Sequence, residues 1–536
     1  MADEGSPDTL RDRFVRYVVS PELLRELAPR KAARRRRSNE GGLPEDAVPV
    51  LAAVPAPPRA RVIVELSADF PGGVDAARDD VIARLERAGV DGDRLERARR
   101  TSTRYNVFAG LGLEEVQALV GEGGGGPSPI YKVWRDERLK PFLDRSVRTI
   151  KADACLTAFG ADGRGIVVAV ADSGIDGTHP HFARYANLVP PPGLGHRDFT
   201  DDGDAPLVDG FGHGTHVAGI VAGHSDPGRV AMYRVAEERD AGGTVATRLR
   251  EMKGDADGEV ADGGGGAEKT GRVLRGIAPR TKLISLKVLD ETGDGYASGD
   301  GYASGLIAAL EHVEQTNDYG RRIKIHCVNL SLGYPFDGAW FAAGHSPLCA
   351  VVNRLSRSGT VVVAAAGNDG SALMATEFRS GRQRVGVDQS INDPGNAEEA
   401  ITVGATHAES PHQYGVSYFS SRGPTADGRI KPDLVAPGER ILSCAAAGSV
   451  KLEAVLKAAK EEAVEGAAYF REESGTSMAA PHVAGAVAAL LSIRPEFIGR
   501  SDAVKAVLVG NCVDLKRKAD FQGAGLLDLM RAIQSI

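Results

Sequence analysis

The sequence is poor in cysteine and in aromatic residues, and each shortage narrows the class of protein. Its 536 residues include five cysteines, and the three aromatic residue types together make up 5%. An odd number of scattered cysteines, without metal-ligand spacing, argues against a disulfide framework. The chain also lacks a run of about 18 apolar residues, so no membrane-spanning helix is predicted.

Charge and the N-terminus give two further exclusions. The formal net charge is −7 at pH 7, which gives no reason to expect a nucleic-acid partner. Residues 1–6 lack the basic and apolar segments of a secretory signal peptide, so we expect a cytoplasmic location, with non-classical secretion left open. With 42% hydrophobic residues, the chain can form one large core and a smaller domain.

One short segment carries the strongest chemical signal, a glycine turn that leads into an apolar helix. Residues 474–482 read Ser-Gly-Thr-Ser-Met-Ala-Ala-Pro-His, and residues 483–491 are apolar all round. We expect Ser477 at the start of this buried helix and Pro481 in its first turn, where a missing N–H costs little. Free N–H groups and the positive helix end favour negative charge there. Ser477 is therefore a candidate nucleophile.

A serine hydroxyl needs a base, and the base needs a group that orients it. His213 opens a second apolar helix in the glycine-rich stretch 210–220 and is the candidate base. Asp172 ends an apolar run typical of a strand buried on both faces of a parallel sheet, where open α/β sheets bind ligands. Asn368 follows another such strand and could hydrogen-bond an oxyanion together with the Ser477 N–H.

The structural alternatives are common for each residue alone, since Ser and Asp are ordinary helix N-caps. The combination is what indicates catalysis, and we expect the three groups within hydrogen-bonding reach at one rim of the sheet. Nearby polar residues are assigned structural roles. His216 is interpreted as a packed neighbour, Asp176 and His179 as loop residues, and His482 as a residue that fixes the nucleophile's helix.

Four motifs in this order resemble the subtilisin-like serine proteases (subtilases, peptidase family S8), and most closely the intracellular bacterial members. The motifs are residues 172–174, 213–219, 365–368 and 475–482. The resemblance runs from about Arg145 to the C-terminus. It implies a serine endopeptidase that works through an acyl-enzyme, with Asp172, His213 and Ser477 as triad and Asn368 at the oxyanion.

The same resemblance implies where the substrate lies. The pocket for the residue before the scissile bond should be lined by Ser331, Leu332 and Gly333 and by Ala366 and Gly367. Such small walls would admit a bulky apolar or aromatic side chain.

The expected fold class is α/β, a doubly wound, mostly parallel sheet with helices on both faces. The predicted strands of this sheet are residues 166–171, 282–288, 324–330, 360–365 and 401–405. The catalytic domain is predicted to cover residues 146–536, with a polar insertion at 224–275.

A smaller ferredoxin-like α/β domain is predicted at residues 59–145, after a tail and linker at 1–58. Its predicted strands are 61–66, 105–109 and 130–134, and its predicted helices are 74–88 and 113–120. The pattern resembles the inhibitory propeptide of subtilases. That resemblance implies a zymogen whose own propeptide is an intramolecular inhibitor and is cut between about Lys140 and Arg148. The alternative is an unrelated accessory domain that stays attached.

Two features depart from the simplest subtilase pattern. The insertion follows the helix of the base, where several subtilases carry a calcium loop, and His181 stands where many have a calcium-binding Asp. Its carboxylates could bind Ca²⁺, but no ligand spacing is recognisable, so we predict a flexible loop, no metal residues and no required cofactor. The second feature is a tandem repeat, Asp-Gly-Tyr-Ala-Ser-Gly, at 294–299 and 300–305. It is expected to lengthen the edge that binds the substrate backbone.

Two other function classes stay open at this point. A catalytically silent peptide-binding homologue would normally have a gap in the triad, and none is seen. An acyl transferase would use the same triad chemistry, so the sequence does not separate it from a hydrolase. The expected partners are protein or peptide substrates and the chain's own propeptide, with no nucleic acid and no membrane.

Overall fold

A computed structural model of the chain describes residues 18–19, 59–102, 106–121, 127–135, 143–200, 205–239, 245–252, 273–289, 302–336, 342–375, 382–459 and 461–536. The chain divides into two compact units, residues 1–140 with 238–246 and residues 141–237 with 247–536. Apart from Val18 and Val19, the predicted tail and linker before residue 59 lie outside the described residues. The domain boundaries at 58 and 145 stay predictions.

The first unit contains a three-stranded antiparallel sheet in the order β2-β1-β3. Its elements are β1 (Arg59–Leu66), α1 (Gly73–Arg87), α2 (Gly92–Thr101), β2 (Asn106–Gly112), α3 (Leu113–Gly121) and β3 (Ile130–Arg135). Each predicted strand and helix is present within three residues of its predicted ends. Helix α2 was not predicted, because it is mostly charged. A ferredoxin-like module has four strands, of which the described residues contain these three.

The second unit is built on a seven-stranded sheet in the order β16-β15-β12-β11-β4-β10-β5, and its neighbouring strands are all parallel. These strands are β4 (Val167–Asp172), β5 (Arg197–Asp198), β10 (Lys282–Lys287), β11 (Cys327–Leu330), β12 (Val361–Ala365), β15 (Ile401–His407) and β16 (Leu434–Glu439). The five predicted strands are all present, so the predicted fold class is confirmed.

The remaining elements of this unit surround that sheet. The helices are α4 (Leu143–Thr149), α5 (Ala152–Phe159), α6 (His213–Val221), α7 (Ala303–Thr316), α8 (Pro347–Arg357), α9 (Pro411–Tyr414), α10 (Val450–Ala459), α11 (Thr476–Ile493), α12 (Ser501–Gly510), α13 (Ala519–Gln522) and α14 (Leu529–Gln534). The short strands are β6 (His224–Ser225), β7 (Met232–Arg239), β8 (Val245–Glu251), β9 (Leu274–Arg275), β13 (Ser371–Ala375), β14 (Arg382–Gly386), β17 (Ile441–Cys444) and β18 (Ala468–Glu473). Residues 238–239 of β7 and 245–246 of β8 are counted with the first unit.

The central strand β4 shows why its sequence is a continuous apolar run. Val168 and Val170 pack on one face of the sheet in the cluster that includes α6 and α11. Val167, Ala169 and Ala171 pack on the other face in the cluster that includes α7 and α8. Because successive side chains of a strand point to opposite faces, a sheet covered on both sides requires apolar residues throughout.

Helix α11 is apolar enough and long enough to cross a membrane by composition alone, and no other helix of the described residues is. Most of its length, 83%, is buried inside this unit, as in the core helix of a globular domain.

The described residues of the insertion at 224–275 form strands, so the expectation of a flexible loop is wrong for them. Strands β7 and β8 join β17 and β18 in a four-stranded sheet, in which Met232 is buried and Tyr233 stacks on Tyr469 at 5.6 Å. The signal was the short β-prone run Met-Tyr-Arg-Val, which the surrounding charge obscured. Its glycine run at 263–266 lies outside the described residues, as does the repeat up to residue 301.

Candidate active site

Asp172 and His213 meet at the C-terminal end of β4. Asp172 is the last residue of that strand and is fully buried. Its Oδ1 accepts a hydrogen bond from the Ser173 N–H at 2.8 Å and lies 2.7 Å from His213 Nδ1. A proton on Nδ1 donates to this carboxylate, which leaves Nε2 of the imidazole able to accept a proton. His213 is the first residue of α6, which begins after Gly212 in the left-handed conformation, as predicted.

The buried carboxylate of Asp209 holds the start of the helix that bears His213. Asp209 accepts hydrogen bonds from Gly212 N–H (2.6 Å), from the N–H and hydroxyl of Thr215 (2.8 and 2.6 Å) and from the Ser173 hydroxyl (2.8 Å). The Ser173 hydroxyl in turn accepts from Gly214 N–H at 3.0 Å. Burial raises the pKa of Asp209, while the Thr215 hydrogen bonds oppose that rise. Asp209 thus ties the first turn of α6 to the loop that follows β4.

Sequence reasoning missed Asp209, although a usable signal was present. An Asp three residues before a Gly–His helix start is placed to accept the free N–H groups of that helix.

Ser477 is the second residue of α11, as predicted, and its hydroxyl donates to the backbone carbonyl of Ser331 at 2.9 Å. Within the described parts of the chain, this carbonyl and not the imidazole of His213 is its hydrogen-bond acceptor. A contact between the hydroxyl and the base therefore stays a prediction. In the absence of substrate, catalytic hydrogen bonds are commonly long and shorten only when substrate is bound.

Pro481 is not in the first turn, and this prediction is corrected. The helix begins at Thr476, five residues before Pro481, so the proline lies inside it. Because proline has no N–H, the carbonyl of Ser477 lacks its helical donor. The hydroxyl of Ser331 supplies one at 2.8 Å, and Asn329 Nδ2 donates to that hydroxyl at 2.8 Å. Ser331 therefore makes two hydrogen bonds with Ser477: its carbonyl accepts from the Ser477 hydroxyl, and its hydroxyl donates to the Ser477 carbonyl.

Asn368 follows β12 and is oriented by the start of α11. Its Oδ1 accepts from the Thr476 N–H at 2.9 Å and from the Thr476 hydroxyl at 3.2 Å. A Cβ placed on Gly475 would be 3.4 Å from Asn368 Nδ2 and 3.6 Å from Asn368 Oδ1. The side-chain amide therefore lies against the glycine turn that bears Ser477.

The predicted pocket residues Ser331, Leu332, Gly333, Ala366 and Gly367 follow β11 and β12, next to the nucleophile. Gly367 N–H donates to the Thr476 hydroxyl at 3.1 Å, and Leu332 packs on the apolar cluster below the sheet. Gly367 has φ +106°, and a Cβ there would lie 2.7 Å from Asn392 Cγ. Only glycine fits that position without strain.

A cavity of about 310 Å³ opens beside Asn368. Its lining residues are Asn368, Tyr418, Phe419, Glu439, Arg440 and Ser474. The Arg440 N–H donates to the Ser474 hydroxyl at 2.8 Å, which anchors the cavity to the chain just before the nucleophile. Sequence reasoning did not identify Tyr418, Glu439 or Arg440, because no motif marks them.

The neighbouring histidines have structural contacts, as expected. His216 is buried with Nε2 at 3.1 Å from the Ile441 carbonyl, and burial holds its pKa well below the usual value. His482 donates from Nδ1 to the Met478 carbonyl at 2.8 Å, and burial lowers its pKa to about 4. His179 has Nε2 at 3.0 Å from the Tyr469 carbonyl, and Asp176 Oδ2 accepts from Ala447 N–H at 2.9 Å.

His181 does not suit a calcium ion. Its Nδ1 lies 2.8 Å from the Ser225 hydroxyl, and its ring packs edge-on against Phe182 and Phe470. Ca²⁺ takes oxygen ligands, whereas this is a buried imidazole among aromatic rings. Over the described ranges, no group of three or more His, Cys, Asp or Glu side chains is placed to hold a metal. All five cysteines are free thiols.

Comparison with known proteins places this geometry in a family. The Peptidase_S8 model, described as the subtilase family, matches residues 163–526, more than half of the chain. Serine protease AprX of Bacillus subtilis (strain 168) is 30% identical over 388 residues, which are 71% of this chain and 69% of AprX. The intracellular serine protease of Paenibacillus polymyxa is 27% identical over 74% of this chain and 89% of its own length. Subtilisin E of Bacillus subtilis (strain 168) is 28% identical over 72% of this chain and 70% of its own. The chain therefore belongs to the subtilase family and is a serine endopeptidase, a hydrolase that acts on protein or peptide substrates.

Proposed function

We propose that Asp172, His213 and Ser477 are the catalytic triad of this endopeptidase. The hydroxyl of Ser477 attacks a peptide carbonyl while His213 Nε2 takes its proton. The imidazolium formed is stabilised by the buried carboxylate of Asp172, and it then protonates the leaving amine. Water releases the acyl-enzyme by the same proton transfers in reverse. The supporting observation is the 2.7 Å contact of His213 Nδ1 with a fully buried carboxylate, at the rim where Ser477 begins α11.

The oxyanion is assigned to Asn368 Nδ2 and the Ser477 N–H. The first lies against the nucleophile turn, and Thr476 occupies Asn368 Oδ1. The second lies in the first turn of α11, where N–H groups have no acceptor within the helix and the positive helix end favours negative charge. Donors fixed in advance stabilise the charge that develops without reorganising during the reaction.

Casein hydrolysis by the wild type and by Ser477→Ala tests the triad. Removing the nucleophile should lower kcat by roughly 10⁶-fold, a magnitude measured in subtilisin. Ser535→Ala, which changes an exposed serine at the C-terminus, is the matched control and should keep full activity. Equal casein hydrolysis by wild type and Ser477→Ala would contradict the assignment. Adding a nucleophilic peptide and measuring ligation products separates hydrolysis from acyl transfer.

The residue before the scissile bond is proposed to bind against Ser331, Leu332 and Gly333 on one side and Ala366 and Gly367 on the other. The small glycine and alanine residues among these positions support a preference for bulky apolar residues. Peptides that differ only at this residue measure the preference. A preference for Lys or Asp over Phe and Leu would contradict it.

The domain predicted at residues 59–145 is proposed to be an inhibitory propeptide that the enzyme removes itself. The supporting observation is its compact β-α-β packing with a core of its own. Mass spectrometry should find the wild type cut between about Lys140 and Arg148 and the Ser477→Ala chain intact. A fully active uncut chain would contradict this proposal and favour an attached accessory domain.

A cytoplasmic location and independence of added metal are also proposed. The first is tested by cell fractionation and immunoblotting. The second predicts equal activity in EDTA and in millimolar Ca²⁺. The His181 surroundings support it, and loss of activity or of thermal stability in EDTA would contradict it.

A further inference from the structure

The segment between β17 and β18 contains α10 and packs on the loop that bears the base. The Val450 N–H donates to the Gly210 carbonyl at 2.9 Å. The side chain of Ser449 lies close to Gly212, at 3.0 Å from the position of an added Cβ. The first turn of α10 therefore rests directly on the residues that precede His213.

Lys451 in this turn contacts both sides of the active site. Its Nζ lies 3.9 Å from the centroid of the Phe211 ring, and Phe211 is two residues before His213. The two rings are neighbours, with centroids 6.3 Å apart. The same Nζ is 3.4 Å from Glu473 Oε1, on the last residue of β18 and four residues before Ser477. Lys451 is thus a bridge from the loop of the base to the strand of the nucleophile.

Charged groups face Lys451 both from the strand that leads to the nucleophile and from the side of the base. Glu473 is its ion-pair partner and also pairs with Arg471 on the same strand. Asp209 and Asp172 attract its charge from the base side, and Arg471 repels it. Burial lowers the pKa of Lys451 to about 8, with Arg471 acting in the same direction and the two aspartates opposing. Near pH 7 this side chain is therefore mostly charged, and its ammonium faces the Phe211 ring on one side and the Glu473 carboxylate on the other.

We propose that Lys451 is a positioning residue for peptide hydrolysis, whose ammonium holds the Phe211 loop against the strand that leads to Ser477. The inference rests on the proposed triad. It adds a contact that acts through Phe211 and Glu473 on the approach of His213 to the nucleophile. In the resting structure the Ser477 hydroxyl donates to the Ser331 carbonyl and not to His213. The approach of His213 to Ser477 is therefore the step on which Lys451 acts.

Three variants test this role. Lys451→Met keeps the length of the side chain and removes its charge. Lys451→Arg keeps the contacts with the ring and the carboxylate. Lys457→Met removes an exposed charge from the same helix and is the matched control. With a peptide substrate, Lys451→Met should lower kcat roughly 3- to 30-fold, the range that a partly desolvated cation–π contact supplies. KM should change less than about twofold, and Lys451→Arg and Lys457→Met should stay near wild type.

Two further readouts separate positioning from support of the fold. Lys451→Met should leave Tm nearly unchanged, because Glu473 keeps Arg471 as an ion-pair partner and the methionine side chain fills the same space. Above about pH 8 the ammonium loses its proton, so wild-type kcat should fall relative to that of Lys451→Arg, which stays charged. In a Phe211→Leu background, Lys451→Met should have little further effect on kcat.

The outcomes are distinct. If Lys451→Met keeps full kcat while the wild type requires Ser477, the inference is wrong and the triad stands. If kcat and Tm of Lys451→Met fall together and Lys451→Arg does not restore them, the residue has only a structural role. If the wild type and Ser477→Ala hydrolyse the peptide at equal rates, the proposed triad and this inference both fail.

Discussion

The two sides of the active site differ in what holds them. On the base side, His213 is fixed by side chains, because Asp172 contacts its imidazole and the buried carboxylate of Asp209 accepts four hydrogen bonds around the start of α6. On the nucleophile side, the resting hydroxyl of Ser477 is held by a main-chain carbonyl, that of Ser331.

This difference has a physical consequence. A backbone carbonyl survives any substitution of its own side chain, whereas a buried carboxylate that loses its charge leaves several donors without a partner. The base side should therefore be sensitive to single substitutions away from the reacting atoms. The nucleophile side should tolerate them, except where a side chain contacts the oxyanion itself. The following variants test that contrast, in order of decreasing effect.

Asn368 is the exception on the nucleophile side. Asn368→Ala should lower kcat roughly 100- to 1000-fold, the loss measured for the corresponding donor in subtilisin, with KM almost unchanged. Steady-state kinetics with one chromogenic peptide measures it. Asn511→Ala, near the C-terminus, is the matched control. A loss smaller than tenfold would remove Asn368 from the oxyanion site.

Asp209 tests the base side most sharply. Asp209→Asn replaces an acceptor with a donor that faces the N–H groups of Gly212 and Thr215. We expect kcat to fall roughly 10- to 100-fold, which equals the loss of one charge-assisted hydrogen bond at the transition state. Asp226→Asn changes a carboxylate in a turn outside the site and should be near wild type. Unchanged kcat in Asp209→Asn would show that the base does not depend on this network.

Acid should weaken both sides through their buried histidines. The pKa of His482 is lowered to about 4 by burial, so between its unfolded value of 6.5 and about 4 the unfolded chain binds a proton that the folded protein excludes. The stability that His482 contributes is therefore fully present above about pH 6.5 and is lost as the pH falls towards about 4. His482 alone should remove about 2 kcal/mol of unfolding free energy between about pH 7.5 and pH 5. Urea unfolding of Ser477→Ala, which cannot digest itself, measures the loss. A His482→Gln variant with the same pH dependence would contradict it.

Ser331 should show the smallest effect. Ser331→Ala removes the hydroxyl that donates to the Ser477 carbonyl but keeps the carbonyl that accepts from the Ser477 hydroxyl. We expect a loss of about 1 kcal/mol in unfolding free energy and at most a roughly threefold fall in kcat. Ser358→Ala removes a comparable local hydrogen bond and is the control. A loss of kcat as large as that of Asp209→Asn would end the contrast between the two sides.

The sequence predicted the parts of the fold that depend on local pattern. The continuous apolar run before Asp172 identified a strand covered on both faces, and the glycine turns before His213 and Ser477 identified two helix starts. The motif order then placed the reacting groups on neighbouring loops, because the carboxyl ends of parallel strands share one edge of the sheet.

Other features depend on contacts between residues far apart in the sequence. The sequence pattern placed Pro481 in the first turn of its helix, whereas α11 begins at Thr476, whose N–H donates to Asn368, and has Pro481 in its interior. Asp209 and Lys451 have ordinary local sequences, and their positions become informative only when α6, α10 and β18 are packed together.

The central claim is that His213 activates Ser477, and labelling by a fluorophosphonate tests it most directly. The reagent phosphonylates a serine whose proton is taken by a neighbouring base. Mass spectrometry of the mature enzyme should find one adduct, on Ser477, and His213→Ala should lower the labelling rate by at least about 1000-fold. An adduct on another serine, or equal labelling of Ser477 without the imidazole, would contradict the account.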